Sequence, residues 1–407
     1  MNDYTVVVNA GSSSLKFSVF HKTDTDSWEA DTRGQVEGLG TKPQFSAKNA
    51  AGERVADTAL DPRLSDAKAA LGFVADWLRE RFPGAHVVGV GHRVVHGGAE
   101  YSGPTIVTQE VLEKLRALIP LAPLHQPYNL AAIEAVWERL PGVPQVVCFD
   151  TSFHRGQPAV AQLVPLPREI RDAGVQRYGF HGLSYEYIAS ALPSIAPEIA
   201  RGRVVVAHLG SGASLCALKN GKSVDSTLGF TALDGLCMGT RPGALDPGVV
   251  LYLFQGLGMS VRDVEALLYK KAGLLGISGI SNDMRALLGN GEPAARLAVD
   301  YFVYRAAKDV AAMAAALGGI DGLVFTAGIG ENSPEIRKRI CAACAWLGID
   351  SDESANERRG PRISTPASKV SAWVVPTNEE LMIARHTGAL LGLGGQTPSH
   401  AFTSEGV

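Results

Sequence analysis

Val6-Val7-Val8-Asn9-Ala10-Gly11-Ser12-Ser13-Ser14-Leu15-Lys16-Phe17-Ser18-Val19-Phe20 is the stretch on which the reading of the chain turns. A β-branched run leads into Asn9, small residues follow from Gly11 to Ser14, and Leu15, Phe17 and Val19 then alternate with Lys16 and Ser18. This predicts a hairpin whose turn exposes backbone N–H groups and hydroxyls. Small residues let a bulky anion approach the backbone, and Lys16 can supply it a point charge. Asn9, at the strand end, faces the same space. For this stretch alone, an edge hairpin with a serine-rich loop is the plainer explanation.

The pattern returns. Val204-Val205-Val206-Ala207 leads into His208-Leu209-Gly210-Ser211-Gly212-Ala213-Ser214-Leu215, and Lys219-Asn220-Gly221-Lys222 signals a tight hairpin. A strand, a small-residue turn and a second strand thus occur near the start of each half, a weak repeat in architecture more than in letters. Leu323-Val324-Phe325-Thr326 is a further strand, and Ala327–Asn332 is expected to be a third loop. Short apolar strands at 87–91 and 146–149 alternate with helical patterns at 65–82, 108–118, up to Trp137, from Ser184, at 262–271 and at 294–317. The fold class is α/β. At 407 residues the chain exceeds a single core, and a second domain is expected to begin near residue 152.

Composition narrows the function. The net charge is −3, with no basic stripe for nucleic acid and no charge block for a disordered arm. Met1-Asn2-Asp3-Tyr4 is polar, so no signal peptide is expected, and no apolar run is long enough to span a bilayer. A soluble, cytoplasmic protein is expected. Five scattered cysteines argue against a disulfide framework, and Cys341-Ala342-Ala343-Cys344 falls inside a helical pattern. Gly221-Lys222-Ser223 resembles the end of a P-loop, but Cys216 stands where its leading glycine belongs. Gly210-x-Gly212 and Gly328-x-Gly330 each lack the third glycine of a dinucleotide fingerprint.

What remains is three small-residue segments, 9–16, 208–214 and 327–332, each directly after an apolar strand. Ligands of α/β sheets collect at the carboxyl ends of strands. Two such loops could clamp a polyphosphate, and the third could carry a nucleoside. Asn9, Arg93, Asp150, His181, Arg241 and Glu379 add polar groups at or near strand ends. Singly, each is as well explained by a surface charge or an ion pair. Arg241, in Met238-Gly239-Thr240-Arg241-Pro242-Gly243, lies among residues that cannot shield it and suits an arginine-finger role. His125, His154 and His208 read as structural, and no histidine spacing suggests a metal.

Asn9–Lys16, Gly91–Gly98, Phe149–His154, Arg177–Gly182, His208–Gly212, Met238–Arg241, Gly328–Asn332 and Thr377–Glu380 together resemble the acetokinase family over nearly the whole chain. The resemblance implies two duplicated ribonuclease-H-like domains with an active-site cleft between them. It implies domain bounds of 1–151, with a returning helix at 380–393, and 152–379 for nucleotide binding; residues 394–407, small and polar, are expected to fray. It implies a homodimer that transfers phosphoryl from ATP to acetate, giving acetyl phosphate and ADP, with Mg²⁺ or Mn²⁺. Asn9 and Glu379 are then the metal residues. Lys16, His208, Leu209, Gly210, Ser211, Gly212, Asp283, Met284, Arg285, Gly328, Ile329, Gly330, Glu331 and Asn332 bind nucleotide. Arg93 binds the carboxylate, Asp150 is the family's acid/base residue, and His181 and Arg241 stabilise the transition state. Val95, Leu124, Phe180 and Ala232 line the acyl pocket. A propionate kinase would use the same set. A nucleotide-sensing or chaperone-like ATPase of the same superfamily lacks the Arg93, His181 and Arg241 constellation.

The chemistry suits these residue types. A carboxylate nucleophile titrates near a glutamate, at about 4.3, and needs no base at neutral pH. The obstacle is bringing one anion to another, which arginines, a histidine donor and Mg²⁺ relieve. Asp150 is therefore read as orienting an arginine or a metal-bound water. A neutral Asn9 spares the acyl anion one more negative charge. Three positions depart from the family pattern: Ser211 replaces Asn, Ala244 replaces an acid, and Ala232 replaces a pocket Pro. The smaller Ala232 side chain leaves room for propionate.

Overall fold

The computed structural model describes residues 3–23 and 27–393; the expected tail at 394–407 lies outside them. The chain divides into two compact units, Met1–Ser152 with Asn378–Val407, and Phe153–Thr377.

The first unit contains β1 (Asp3–Ala10), β2 (Ser14–Lys22), β3 (Trp28–Glu37), β4 (Gln44–Asn49), β5 (Arg54–Ala59), β6 (His86–Val94), β7 (Thr105–Ile106) and β8 (Gln145–Phe149). They form one sheet in the order β5-β4-β3-β2-β1-β6-β8-β7. The opening stretch is the β1–β2 hairpin, with Asn9 opposite Lys16 and the turn closed by Gly11 N–H donating to Ser14 O at 2.8 Å. It is not an edge, because β3 pairs on one side and β6, in parallel, on the other. Val8, Leu15, Phe17 and Val19 are buried in one core with residues of helices Ala67–Arg81 and Gln126–Arg139. The other sheet face takes helix Glu379–Leu390. Glycines on β6 permit this approach: a Cβ at Gly89 or Gly91 would stand 2.5 Å from Leu391 Cδ1 or Ile383 Cγ2.

The second unit contains β9 (Arg203–Leu209), β10 (Ala213–Lys219), β11 (Lys222–Ser226), β12 (Gly322–Thr326) and β13 (Ser371–Val374), in the order β11-β10-β9-β12-β13. Asn220 and Gly221 both have positive φ, 54° and 73°, as the tight β10–β11 turn requires. Helix Pro293–Leu317 packs on β9, β10 and β11. Tyr185, Ile188 and Leu192 of helix Gly182–Ile195 share a core with Val204, Val206 and Val324.

An antiparallel meander flanked by two parallel strands is common to β3-β2-β1-β6-β8 and β11-β10-β9-β12-β13. Both units therefore have the ribonuclease-H-like arrangement. The expected loop at 327–332 is instead a short helix, Ala327–Asn332. Side chains close it where glycines alone would not: Glu331 accepts from Ala327 N–H at 2.8 Å, and Asn332 Nδ2 donates to Gly328 O at 2.9 Å. Helix Gly182–Ile195 starts before the expected Ser184, because His181 turns the chain with φ 58°. All five cysteines are free and buried, and burial pushes the Cys341 thiol up to about 12, which makes the pair at 341 and 344 a packing feature.

Candidate active site

In the first unit, parallel pairing of β6 with β8 sets Arg93 beside Cys148 and delivers Asp150 just past the strand end. Arg93 Nε and Nη2 donate to Asp150 Oδ1 and Oδ2 at 2.8 and 2.7 Å, a bidentate pair. The Asp150 side chain is only 3% exposed. Helix Glu379–Leu390 brings its first residue to the same place, with Glu379 Oε2 3.8 Å from Arg93 Nε. Burial pushes the Glu379 carboxyl up to about 7; Arg93 and Lys16 oppose the shift, while Asp150 and Glu380 add to it. Burial works against the Arg93 charge too, but Asp150, Glu379 and Glu380 outweigh it and hold the guanidinium protonated.

Asn129, missed in the sequence, ties this corner together. Its Nδ2 donates to Ala10 O at 2.7 Å and its Oδ1 accepts from Val95 N–H at 3.1 Å. The only sequence signal was an asparagine within an otherwise apolar helical stretch. Val95 is buried and Leu124 half-buried. Neighbouring His92 is kept neutral, burial lowering it to about 4, and its Nε2 lies 2.7 Å from Gln145 Oε1.

In the second unit, His181 occupies the left-handed region at the head of its helix, a sparsely populated conformation for a residue with a side chain. Its Nδ1 lies 2.8 Å from Ser214 Oγ, which also lies 2.5 Å from Tyr185 Oη. The ring stacks on His208 with centroids 4.2 Å apart. His208 Nδ1 in turn lies 2.8 Å from Ser184 Oγ, which donates to Thr377 Oγ1.

Arg241 comes from the irregular glycine-rich segment. Its loop is strapped to the start of helix Gly273–Ser278 by main-chain bonds: Ala272 N–H to Thr240 O, Leu274 N–H to Met238 O and Leu275 N–H to Gly239 O, at 2.9–3.1 Å. Gly273, with φ 62°, permits the strap, since a Cβ there would lie 2.7 Å from Arg241 O. Arg241 Nη1 donates to Ala232 O at 2.7 Å. Burial lowers its pKa, and among the described residues no carboxylate pairs with it. Arg241 Nη2 and His181 Nε2 converge over Gly212: a Cβ there would lie 2.7 Å from the first and 3.4 Å from the second. A partly desolvated cation with only a carbonyl partner is a receptor for an anion. Phe180, buried, and Ala232, half-buried, also belong to this unit.

A cavity of about 740 Å³ adjoins Gly210 and Ser211. Asp283, Met284, Arg285, Gly328, Ile329 and Asn332 also line it, so three separate sequence stretches meet at one hollow. Asn282, Ser333, Pro334 and Glu357 extend its wall and were not anticipated. His208, Leu209, Gly212, Gly330 and Glu331 are not in the wall. Leu209 is fully buried, and Glu331 accepts from Ala327 N–H and, at 3.1 Å, from Thr377 N–H. Arg337, fully buried, donates to Gly330 O and Glu331 O at 2.9 and 3.0 Å and so anchors the cavity's short helix. The bond from Arg285, aided by its backbone N–H, holds Asp283 down to about 2.

No cluster of three or more His, Cys, Asp or Glu side chains among the described residues could hold a metal by itself. The side-chain oxygens of Asn9 and Glu379 are hard donors, the type that Mg²⁺ takes alongside waters and phosphates.

The acetokinase family model matches residues 4–385. An acetate kinase of Nitrobacter hamburgensis is 52% identical over 390 residues, covering 96% of this chain and 96% of that protein. A crystal structure of Porphyromonas gingivalis acetate kinase is 39% identical, with a TM-score of 0.85 over 96% of this chain and all of the other. A propionate kinase from Francisella tularensis is 36% identical, with a TM-score of 0.88 over 95% and 99% of the two chains.

Proposed function

The chain belongs to the acetokinase family, and on that footing we propose how it carries phosphoryl between ATP and acetate, giving acetyl phosphate and ADP. The observation that carries the reading is Arg241, a partly buried cation held by a carbonyl, without a carboxylate partner, and level with His181 over Gly212. Such a guanidinium stabilises the charge that spreads over the transferring phosphoryl oxygens. His181 Nε2 donates beside it, its Nδ1 fixed by Ser214.

Arg93 binds the acetate carboxylate. Asp150 is a positioning residue: its two oxygens take two Arg93 donors and fix the plane of the guanidinium. The nucleophile arrives ionised, so no base step is required. ATP occupies the cavity bounded by Ser211, Asp283 and Gly328; Lys16 is assigned to the phosphates by its charge and by the family resemblance. Asn9 and Glu379 would hold Mg²⁺. The Glu379 carboxyl, disfavoured as an anion by burial and by Asp150, is a group that a cation would stabilise. When bound, the metal supplies neutralising charge to the phosphates.

We further propose a cytoplasmic location, as the family resemblance implies. A homodimer is proposed from exposed apolar side chains on the second unit: Leu251, Tyr252, Leu257 and Val261 are 55–72% exposed.

Steady-state kinetics with acetate, propionate and butyrate, each with ATP and Mg²⁺, tests the proposal. Acetyl phosphate formation, cut about 10³-fold in kcat by Arg241→Ala, is the expected result. Absence of acyl phosphate from all three acids would overturn it. A preference for propionate would favour the second reading, which rests on the small Ala232 side chain; one methylene in an apolar pocket is worth about 1–3 kcal/mol.

A further inference from the structure

The first unit contains a second hollow, on the sheet face opposite helix Glu379–Leu390. It measures about 360 Å³ and lies between β1, β2 and β6 and helices Ala67–Arg81 and Gln126–Arg139. Its walls are apolar: Val8, Phe17, Leu71, Val74, Val90 and Val136 all line it, and none is more than 6% exposed. Protein interiors rarely leave voids larger than a water molecule, and an apolar void of about 150 Å³ already takes up benzene. This one falls in the size range of small-molecule sites.

Its charged members are all basic. Arg79, His86 and Arg139 are exposed members of the lining and so mark the mouth, and among the described residues no acidic one joins them. Arg79 pairs with Asp76 at 2.9 Å and His86 with Asp3 at 3.3 Å. Arg139 has no such ion pair among the described residues. It lies against the helix backbone at Gly72, where a Cβ would be 2.9 Å from its Cζ. The missing side chain at Gly72 is what lets the guanidinium rest at the rim.

We propose that this hollow binds a free single-chain carboxylate, its alkyl chain among Val8, Leu71, Val74 and Val136 and its anionic head on Arg139. By volume the chain has roughly ten carbons, somewhat over twice a benzene. The apolar walls supply affinity, and the basic mouth selects the anion. The site is separate from Arg93, where a short carboxylate is expected to react.

Isothermal titration of the full chain with decanoate, below its micelle concentration, tests this. Saturable 1:1 binding is expected. Leu78→Trp and Val74→Phe, which fill the hollow from its half-exposed and buried sides, should each weaken it at least tenfold while acetate turnover reports an intact fold. Arg139→Gln should weaken it about two- to fivefold, as expected for an exposed charge, and decanol should bind less well than decanoate. Arg93→Ala should leave decanoate binding unchanged. Lack of saturable binding, binding indifferent to both filling variants, or displacement of decanoate by acetate would each overturn the proposal.

Discussion

Gly212→Ala isolates the Arg241 geometry from the fold. Gly212 does not lie in the left-handed region, so alanine fits its backbone, and by restricting the unfolded chain it should add about 0.4–1 kcal/mol of stability. The new methyl would stand 2.7 Å from Arg241 Nη2, where ordinary contact begins at 3.4 Å. The guanidinium must therefore retreat by about 0.7 Å or more. It cannot simply pivot, because Nη1 is held by Ala232 O at 2.7 Å and the loop behind it is strapped to residues 272–275. A misplacement of about 1 Å at a reacting centre costs on the order of 10²-fold, so a 30- to 100-fold fall in kcat is expected, about 2–3 kcal/mol of barrier. Trapping acetyl phosphate as the hydroxamate gives kcat, and thermal unfolding gives Tm. Gly328→Ala is the control: it lines the nucleotide cavity with open space around it, and should leave kcat within a factor of about two. A Gly212→Ala enzyme with wild-type Tm and a kcat within threefold of wild type would refute the reasoning.

Other outcomes follow from the same structure. Asp150→Asn removes one acceptor from the Arg93 fork, and should raise acetate KM more than it lowers kcat; a large kcat loss at unchanged KM, rescued at higher pH, would restore a base role. Gly273→Ala meets backbone at Arg241 O and a positive φ together, and should destabilise by about 1–3 kcal/mol, read as a lowered urea midpoint. His92 has its folded pKa depressed to about 4 from 6.5, so the unfolded chain binds a proton that the native state refuses across that window. Stability from this group is full above pH 6.5 and falls by about 3 kcal/mol as pH drops to 4. His92→Gln, which keeps a donor toward Gln145, should flatten the fall in unfolding free energy between pH 7 and 5; an unchanged slope would reject the assignment.

Much of the fold could be read from short-range patterns. Continuous apolar runs marked β1 and β9, alternation marked β2 and β10, and the Asn220-Gly221 pair marked the β10–β11 turn, because these features are local. The duplication showed as two strand–turn–strand units, but its proof lies in strand order, which is a long-range property. The nucleotide stretches were legible as small residues after strands. Their meeting in one cavity was not, because it depends on how β9 and β12 pair and on where Asp283 caps its helix. The helix at 327–332 was missed because its glycines have poor intrinsic propensity and its closure comes from Glu331, Asn332 and Arg337. Arg93 and Asp150 are separated by 57 positions, and only parallel pairing makes them one fork. Gly273 lies just past the helical pattern at 262–271 and was not singled out, because nothing in the sequence said whose backbone it would admit.

Helix Glu379–Leu390 fills a groove that Gly89 and Gly91 leave open, and this bears on the order in which the molecule is born. On the ribosome, β6 emerges nearly three hundred residues before its covering helix. The second unit, contiguous from Phe153 to Thr377, is fully synthesised in the interval and can fold as it appears. The first unit must wait with one sheet face bare until helix Glu379–Leu390 has been made. The unit begun first is thus completed after the one begun second, and Glu379 arrives beside Arg93 only once the whole of Phe153–Thr377 has been made.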